Sequence, residues 1–415
     1  LNIVYYKNLS SLYIRNNPMG HFSNLDIAIL FLYAAVLVYM GIYFVRKSRT
    51  ADQFMVAGRG IPAWAAGLAV MSAYTSSISY IATPGMAFDV DWHPMVFALT
   101  IPPVVWIITK YAVPYYRKIQ LISVYSFLED KLGSWGRIYA AFSFVLYMVG
   151  RTAVILYLAS LLLSTFVPWN IVPIILVIGT ITIVYTLLGG MEAVIWTDVM
   201  QSAVMLVGVL FCAGYLTYHI FTGPEPLIQN ALAANKFSFG DTSWSFSSKT
   251  LWVMLIYGFT ENLRNLLADQ NYVQKYSTTP SEKEANKSIW TAMLIYIPLT
   301  AVFLYIGTAL FAFYSEGGFA LGEGITKGDQ IFPYFIATQV PMGLKGLIVA
   351  AILAAAMSTI DSALNCSATV LFLDFYKRYF KPDIDETKSV VFLRGATVVW
   401  GVLGTIFALV MINAE

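Results

Sequence analysis

Charged residues are scarce in this chain of 415 residues, and histidine and cysteine are scarcer still. Only 12% of the residues are charged, against roughly 25% in a soluble globular domain. The two cysteines, Cys212 and Cys366, lie in apolar runs, which excludes a disulfide framework, and the 3 histidines form no zinc-type Cys/His cluster. The sequence has no nucleophile–base pair, phosphate-binding glycine loop or metal-ligand cluster, so an enzyme is not expected. A net charge of +2 says nothing about binding to nucleic acid or to acidic substrates.

Most of the sequence consists of long apolar runs. Hydrophobic residues make up 58% of the chain, and a transmembrane helix needs roughly 20 consecutive apolar residues. The runs predict an all-α polytopic membrane protein with about ten spans. They lie near residues 27–45, 63–88, 94–113, 138–166, 170–188, 193–218, 250–268, 288–314, 345–373 and 390–412. In the second run, Pro84 and Gly85 predict the point at which a broken helix is interrupted.

Lysine and arginine are distributed unevenly between the loops, and this sets the predicted orientation. Of the 25 such residues, 18 fall in alternate loops, 6 fall in the other loops and the N-terminal segment, and Arg151 lies inside a span. The richer set of loops comprises 46–62, 110–137, 189–192, 264–287 and 374–394. The positive-inside rule puts these loops in the cytoplasm and residues 1–26 outside. Because the first residue is leucine, Met19 is an alternative start within this extracytoplasmic segment.

The run at 346–372 carries polar residues where a span should be apolar. Those in its middle are Ser358, Thr359, Asp361, Ser362 and Asn365. Polar groups at membrane depth are costly and usually mark an ion or substrate path, and hydroxyl and carboxylate oxygens suit a small, hard cation. The pattern therefore predicts a cation site in this helix. The alternative is structural, because serine and threonine in membranes also bond back to their own helix or join neighbouring helices.

Arg151 is the one basic residue deep in a predicted span. An unpaired guanidinium would be very costly at that depth, so it needs a partner. One interpretation is that it clamps a substrate carboxylate through two parallel hydrogen bonds. The other is a structural ion pair with Asp198 or Asp361, and the residues alone leave both open.

The spans after the first divide into two groups that run in opposite directions. The broken second span opens one group, and the seventh span, near 250–268, opens the other. Inverted repeats with a central site between broken helices are typical of secondary transporters. Five spans in each repeat would require one more span after residue 412, so the sequence predicts that this chain is truncated at its C-terminus and transports poorly as it stands.

Several segments resemble the sodium:solute symporter family, which includes sodium/glucose, iodide and bacterial sialic acid transporters. Those segments are AGRGIPAWAAGLAVMSAYTSSISYIATPGMAF (57–88), YYRKIQLISVYSFLEDKLG (115–133), GGMEAVIWTDVMQ (189–201), DQNYVQKY (269–276) and AAAMSTIDSALN (354–365). The sialic acid transporters look closest, since their GR-x-A-x-x-x-YL motif is similar to GRTAVILYL at 150–158. The resemblance implies a leucine-transporter-type inverted-repeat core of five plus five helices, the last one apparently missing, preceded by one extra N-terminal transmembrane helix.

The resemblance also implies a sodium site between the first core helix and the serine-rich helix. Backbone carbonyls of Ser72, Thr75 and Ala355 would bind the ion there, together with the hydroxyls of Ser358 and Thr359. The spacing of the last three residues agrees with this, because positions i, i+3 and i+4 lie on one face of a helix.

A second sodium site, found in some members of the family, would use Asp198, Asp361, Ser362 and the shared Ser358. Asp361 departs from the serine or threonine that is usual at its position, and the extra carboxylate would either strengthen cation binding or keep a proton. Asp198 has an alternative role as an acid that stabilises the N-terminus of a helix.

For the substrate, the resemblance favours the clamp, because the matching arginine of the sialic acid transporters holds the substrate's carboxylate. Besides Arg151, the residues implied at the substrate site are Tyr74, Ser76, Ser77, Ser79, Asp269 and Gln270. The last two have an alternative role as polar residues at a cytoplasmic helix end. Two departures, Ala98 in place of a glutamine and Pro94 in place of an aromatic residue, make the pocket different from that of the sialic acid transporters.

These features together predict sodium-coupled secondary active uptake of a small organic solute, sialic acid-like or another carboxylate or sugar, by alternating access. The chain would be a multi-pass protein of the inner or plasma membrane, with residues 27–415 as its transmembrane domain. Sodium is the expected coupling ion, the solute and the lipid bilayer are the expected partners, and no cofactor, nucleic acid or obligate protein partner is expected. The alternatives are a transporter-like sensor domain of a signalling protein and an inactive fragment.

Overall fold

The computed structural model describes residues 22–413 except 121, 168, 223–226, 247, 316–320 and 322–324. Within these ranges the regular structure is helical, with no strand. The α-helices, numbered in chain order, are α1 (Asn24–Phe44), α2 (Ala51–Val56), α3 (Ala63–Tyr74), α4 (Ser77–Asp89), α5 (His93–Leu99), α6 (Ile101–Ile107), α7 (Val113–Lys118), α8 (Ser126–Phe166), α9 (Ile171–Thr222), α10 (Leu227–Ala233), α11 (Leu251–Ala268), α12 (Gln270–Ser277), α13 (Glu282–Ser315), α14 (Gly328–Thr338), α15 (Leu344–Val370) and α16 (Glu386–Met411). Short 3₁₀ segments lie at Val45–Lys47 and Ala57–Arg59, and π-helical segments at Ile108–Ala112 and Leu371–Phe380.

Seven helical segments of the described chain are long and apolar enough to cross a membrane, and a bent pair, Ala51–Arg59 with Ala63–Tyr74, makes an eighth. The larger number of spans predicted from the sequence has a structural reason. Helix α9 contains two of them, joined at Gly190, whose φ of +59° interrupts the helix. The predicted span at 63–88 is divided between two short helices, and the one at 250–268 is short and carries charged side chains.

The second predicted span is broken, but the prediction that Pro84 and Gly85 interrupt it is wrong. Helices α3 and α4 are separated at Thr75 and Ser76, and Pro84 lies inside α4. The hydroxyl of Ser76 caps α4, since it accepts a hydrogen bond from the backbone N–H of Ser79 at 3.3 Å. A serine that competes for the first free N–H groups of a helix therefore fixes the break, and the proline further along is accommodated by its neighbours.

Glycine makes that accommodation possible. A Cβ atom at Gly307 of α13 would overlap the carbonyl of Pro84, and a Cβ at Gly85 would approach the backbone of Gly328 and Asp329 to 2.7–2.9 Å. The neighbouring helices therefore pack directly against the backbone around the proline. Close approach through small residues is the usual way in which membrane helices associate.

We expect Gly307→Ala to destabilise the protein by about 1–3 kcal/mol, because overpacking a close contact forces the backbones apart. A lower midpoint of thermal unfolding in detergent would report this effect. Gly214→Ala is the matched control, since a Cβ at Gly214 meets nothing within 4 Å and alanine favours a helix over glycine. Equal midpoints for the two variants would contradict the packing described for Pro84.

Helix α15, the serine-rich helix, lies in the centre of the bundle and is buried along almost its whole length. It packs against α1, α8, α9 and α16, and against both halves of the broken helix, α3 and α4. Asp26 of α1 holds its N-terminus, because the carboxylate accepts hydrogen bonds from the N–H groups of Gly343 (2.8 Å) and Gly346 (2.7 Å). This arrangement packs α15 against both helices that flank the break at Thr75 and Ser76.

Candidate functional site

The hydroxyls of Ser358 and Thr359 are buried and turned towards their own helix. Both donate to the carbonyl of Ala355, at 3.3 Å and 3.0 Å, which is the back-bonding that serine and threonine commonly make in helices. A hydroxyl that donates its proton still has lone pairs that can bind a cation. The observed bonds therefore agree with the structural interpretation of this pair and also with the sodium-binding one.

Ser72 and Thr75 lie at the end of α3, where the helix stops and the last carbonyls lose their intrahelical partners. Both side chains are buried, and the hydroxyl of Thr75 donates to the carbonyl of Met71 at 3.2 Å. Since α15 packs against α3 and α4, the fold brings this helix end and the Ala355–Thr359 face onto neighbouring elements.

Asp198 and Asp361, the two carboxylates predicted for a second sodium site, have different partners. Asp198 forms an ion pair with Lys275, with Nζ and Oδ2 2.8 Å apart and both side chains fully buried. The carboxylate of Asp361 accepts hydrogen bonds from the hydroxyls of Tyr185 (2.8 Å) and Ser362 (3.1 Å). The hydroxyl of Ser362 also donates to the carbonyl of Ser358 at 2.7 Å. The two carboxylates are near enough for their charges to interact.

Lys275 lies in the segment that the lysine and arginine count assigns to a cytoplasmic loop, yet it is not an exposed loop residue. The structure buries it completely, and its ammonium also donates to the carbonyl of Ala69 in α3 at 3.0 Å. The lysine in the segment DQNYVQKY is visible in the sequence. Its pairing with the distant Asp198, however, depends on how α9, α12 and α3 pack.

Arg151 interacts with residues other than Asp198 and Asp361. Its charge interacts with Tyr272 and with the carboxylate of Asp269, yet no carboxylate of the described chain lies within ion-pair distance of it. The alternative in which Arg151 pairs with Asp198 or Asp361 is therefore wrong, since Lys275 and the hydroxyls described above take those places. Arg151 keeps part of its surface accessible, although Tyr272 and Asp269 are buried.

Aromatic rings connect the surroundings of Arg151 to the break between α3 and α4. Tyr272 packs against Tyr74, with ring centroids 4.6 Å apart, and its hydroxyl donates to the carbonyl of Ala73 at 3.4 Å. Tyr74 also contacts Tyr296, at 5.3 Å between centroids. Tyr272 is thus a candidate site residue that the sequence analysis did not single out, although it lies in the same segment as Lys275.

The remaining predicted substrate residues are divided between two environments. Ser76 and Ser79 are partly accessible at the start of α4, whereas Ser77 is buried and its hydroxyl has no hydrogen-bond partner in the described chain. The amide of Gln270 donates to the carbonyl of Ile122 (2.7 Å) and accepts from the N–H of Val124 (2.9 Å). These bonds fit the structural alternative for Gln270.

Asp269 marks a second helix break. It separates α11 from α12, and its side chain caps α12 by accepting a hydrogen bond from the N–H of Asn271 at 2.9 Å. Arg264 donates to the same carboxylate at 3.4 Å. The interrupted helices of the described chain therefore include one at each predicted start of a repeat, and a buried hydroxyl-rich helix packs against the first of them. Interrupted helices beside a buried polar helix are typical of secondary transporters.

Comparisons with known proteins agree with this class. The model of the Sodium:solute symporter family matches residues 54–415. The chain is 33% identical over 398 residues to the sodium/sialic acid symporter NanT of Aliivibrio fischeri, covering 95% of this chain and 78% of the relative. It is 32% identical over 399 residues to the sodium/sialic acid symporter SiaT of Proteus mirabilis, with 95% and 79% covered.

A solved structure is also similar. It is a substrate-bound, outward-open sodium-coupled sialic acid symporter, described as revealing a novel sodium site, and it superposes with a TM-score of 0.91 at 31% identity, over 95% of this chain and 84% of that one. The chain belongs to the sodium:solute symporter family. It is a transporter rather than an enzyme, it lies in the plasma membrane, and it takes up a solute with sodium as the coupling ion.

Proposed function

We propose that the transported solute is an acidic sugar of the sialic acid type, and that Arg151 binds its carboxylate. The observation that carries this proposal is a guanidinium at membrane depth that retains accessible surface and has no carboxylate of the described chain within ion-pair distance. Since an unpaired charge is very costly there, a ligand carboxylate is the group that would compensate it. The symporters NanT and SiaT, which this chain resembles, are named for sialic acid.

The polar groups near the break would bind the rest of the solute. Ser76 and Ser79 are partly accessible, Ser77 has a buried hydroxyl without a partner in the described chain, and Tyr74 packs on Tyr272 beside Arg151. Hydroxyls can donate and accept, so they suit the hydroxyl groups of a sugar. The carboxylate of Asp269, whose charge interacts with that of Arg151, would accept a hydrogen bond from such a group, whereas the bonds of Gln270 to the loop at 122–124 leave its amide less available.

For the coupling ion we propose the site formed by the carbonyls of Ser72, Thr75 and Ala355 and the hydroxyls of Ser358 and Thr359. The support is that α3 and α4, the helices on either side of the break, both pack against α15, and that the two hydroxyls, with the carbonyl to which they donate, lie on one buried face. A sodium ion would draw these oxygens together and so link the broken helix to α15. Solute bound at Ser76 and Tyr74 would then be coupled to the ion through the same helix break.

We also propose that α3 and α11 open two inverted repeats of a five-plus-five core that follows α1. The breaks support this proposal, since α3 and α4 are separated at Thr75 and Ser76, and α11 and α12 at Asp269. Interrupted helices at corresponding positions of two halves are typical of transporters that alternate between outward-facing and inward-facing states.

Uptake by proteoliposomes under an inward sodium gradient tests the proposed solute. We expect accumulation of labelled sialic acid, and no accumulation when sodium is equal on both sides. In a competition screen, sialic acid should compete and its carboxamide should not, because the amide lacks the charge that the guanidinium binds. Sugars, polyols and simple monocarboxylates complete the screen. An uncharged sugar as the preferred solute would contradict the proposed clamp but would leave sodium coupling intact.

A further inference from the structure

An open groove lies at the end of α1, outside the candidate site described above. Its volume is about 840 Å³, within the roughly 300–1,000 Å³ that is usual for small-molecule sites. Three parts of the chain line it: the end of α1 with the 3₁₀ segment that follows, the turn that leads into α3, and α9 just after its interruption at Gly190. The positive-inside rule puts the loops at 46–62 and 189–192 in the cytoplasm, so the groove lies at the inner surface of the membrane.

The groove carries an excess of positive charge. Among the described residues that line it, Arg46 and Lys47 are basic and Glu192 is acidic. Lys47 and Glu192 neutralise each other, since Nζ and Oε1 are 2.9 Å apart. Arg46 is exposed and has no carboxylate of the described chain within ion-pair distance. Its guanidinium is therefore available to an anion, and its fork of N–H donors matches the oxygens of a phosphate.

Aromatic and apolar side chains lie beside this charge. Tyr43 lines the groove and, like Ile42 before it in α1, is 57% exposed. Trp196 of α9 also lines the groove and packs against the exposed Trp64, with ring centroids 5.7 Å apart. Exposed tryptophan and tyrosine rings are typical of the depth at which lipid headgroups meet acyl chains. A ligand in the groove would thus meet a cation at one end and apolar surface at the other.

A left-handed turn forms one wall of the groove. Ala57, Gly58 and Arg59 have φ values of +53°, +58° and +54°, and the helical segments on either side of the turn are bent by 110°. Gly58 leaves this wall without a side chain, because a Cβ there would meet only Cγ of Gln53, at 3.8 Å. A ligand in the groove would therefore contact the chain directly before α3, the first half of the broken helix.

We propose that the groove binds the headgroup of an anionic phospholipid of the inner leaflet, with the phosphate on Arg46 and an acyl chain along the exposed face of α1. Basic pockets between transmembrane helices on the cytoplasmic side are typical sites for anionic lipids. A soluble phosphate would use the charge of Arg46 but not the apolar surface around Tyr43 and Trp196. The bound lipid would connect α1 and α9 to the residues that precede α3, at a place separate from the proposed solute and sodium sites.

Titration of the detergent-solubilised protein with phosphatidylglycerol tests this proposal. The lipid should raise the midpoint of thermal unfolding, because a ligand of the folded state stabilises it by mass action, and native mass spectrometry should show one retained molecule per chain. Phosphatidylcholine should bind about 5-fold more weakly, since its choline cancels the charge of its phosphate. Inorganic phosphate at the same concentration should leave the midpoint unchanged, because it has no acyl chain.

Arg46→Gln should weaken the binding of phosphatidylglycerol by about 10-fold, since hydrogen bonds to the charged phosphate are lost. Arg46→Lys keeps the charge and should keep most of the affinity. Arg49→Gln is the matched control: Arg49 is exposed three residues further on, has no carboxylate of the described chain within ion-pair distance, and does not line the groove. This variant loses the same charge from the same surface and should bind the lipid as the unmodified protein does.

Four results would overturn the proposal. Equal stabilisation by inorganic phosphate would indicate a site for soluble anions, and equal retention of phosphatidylcholine would show that charge does not select the lipid. Neither comparison needs a variant. Unchanged binding in Arg46→Gln, or an equal loss in Arg46→Gln and Arg49→Gln, would show that the lipid is held elsewhere or only by diffuse attraction to a basic surface. These measurements use neither sodium nor solute, so their outcome is independent of the proposed function.

Discussion

Replacing Arg151 with glutamine is expected to reduce the apparent affinity for an acidic solute by at least about 100-fold, because each hydrogen bond to a charged group contributes roughly 1.5–3 kcal/mol. Glutamine keeps a polar side chain of moderate length but has no charge and cannot form the planar fork. Arg151→Lys should not restore uptake, since lysine keeps the charge without the two parallel donors. Concentration-dependent uptake of labelled sialic acid under a fixed sodium gradient measures the change.

Arg394→Gln is the control for this experiment. Arg394 also lies in a membrane-spanning helix, α16, but its guanidinium donates to the carbonyl of Ser48 at 3.4 Å, away from the break between α3 and α4. Uptake by this variant should be close to that of the unmodified protein. If Arg151→Gln transports the acid as well as the unmodified protein does, the carboxylate is bound elsewhere, and the interaction of Arg151 with Tyr272 and Asp269 is structural.

The sequence predicted the class of fold well, because a lipid solvent leaves few alternatives. Backbone N–H and C=O groups in a bilayer must form hydrogen bonds within the protein, so long apolar runs without charge form helices. The positions at which helices are interrupted were harder to predict. Pro84 was the stronger local signal, yet the break falls at Thr75 and Ser76, where a serine caps the next helix and neighbouring glycines allow the proline to remain helical.

The candidate site could be proposed from the sequence to the extent that one segment carries its polar groups. The hydroxyls of Ser358 and Thr359 and the carboxylate of Asp361 follow from an apolar helix with polar residues in its middle. The partners of Asp198 and Arg151 did not follow, because they come from α12, a short helix whose local pattern resembles an ordinary loop. Lys275 is distant in sequence from Asp198, and only the packing of three helices shows that the pair is buried.

The double substitution Ser358→Ala with Thr359→Ala is expected to raise the sodium concentration needed for half-maximal uptake by roughly 5–150-fold, the range of a typical coupling energy. Alanine removes two hydroxyl ligands but little volume, and both positions are buried within a helix that alanine favours. Because coupling is reciprocal, the affinity for the solute should fall with that for sodium. Sodium titrations of solute uptake and of solute binding measure both effects.

The alternative is that these hydroxyls only bond back to α15, and a second double variant separates the two interpretations. Thr182 and Thr397 are buried in other spanning helices and donate to the carbonyls of Ile178 (2.8 Å) and Leu393 (2.9 Å), which is the same back-bonding away from the proposed site. If back-bonding is the whole role of such hydroxyls, Thr182→Ala with Thr397→Ala should change sodium dependence as much as the first pair does. If Ser358 and Thr359 bind the ion, only their removal changes it, and Thr359→Ser, which keeps a hydroxyl, should retain most of the sodium affinity. Equal sodium dependence in the unmodified protein and the Ser358/Thr359 double variant would exclude this pair as ligands of the coupling ion.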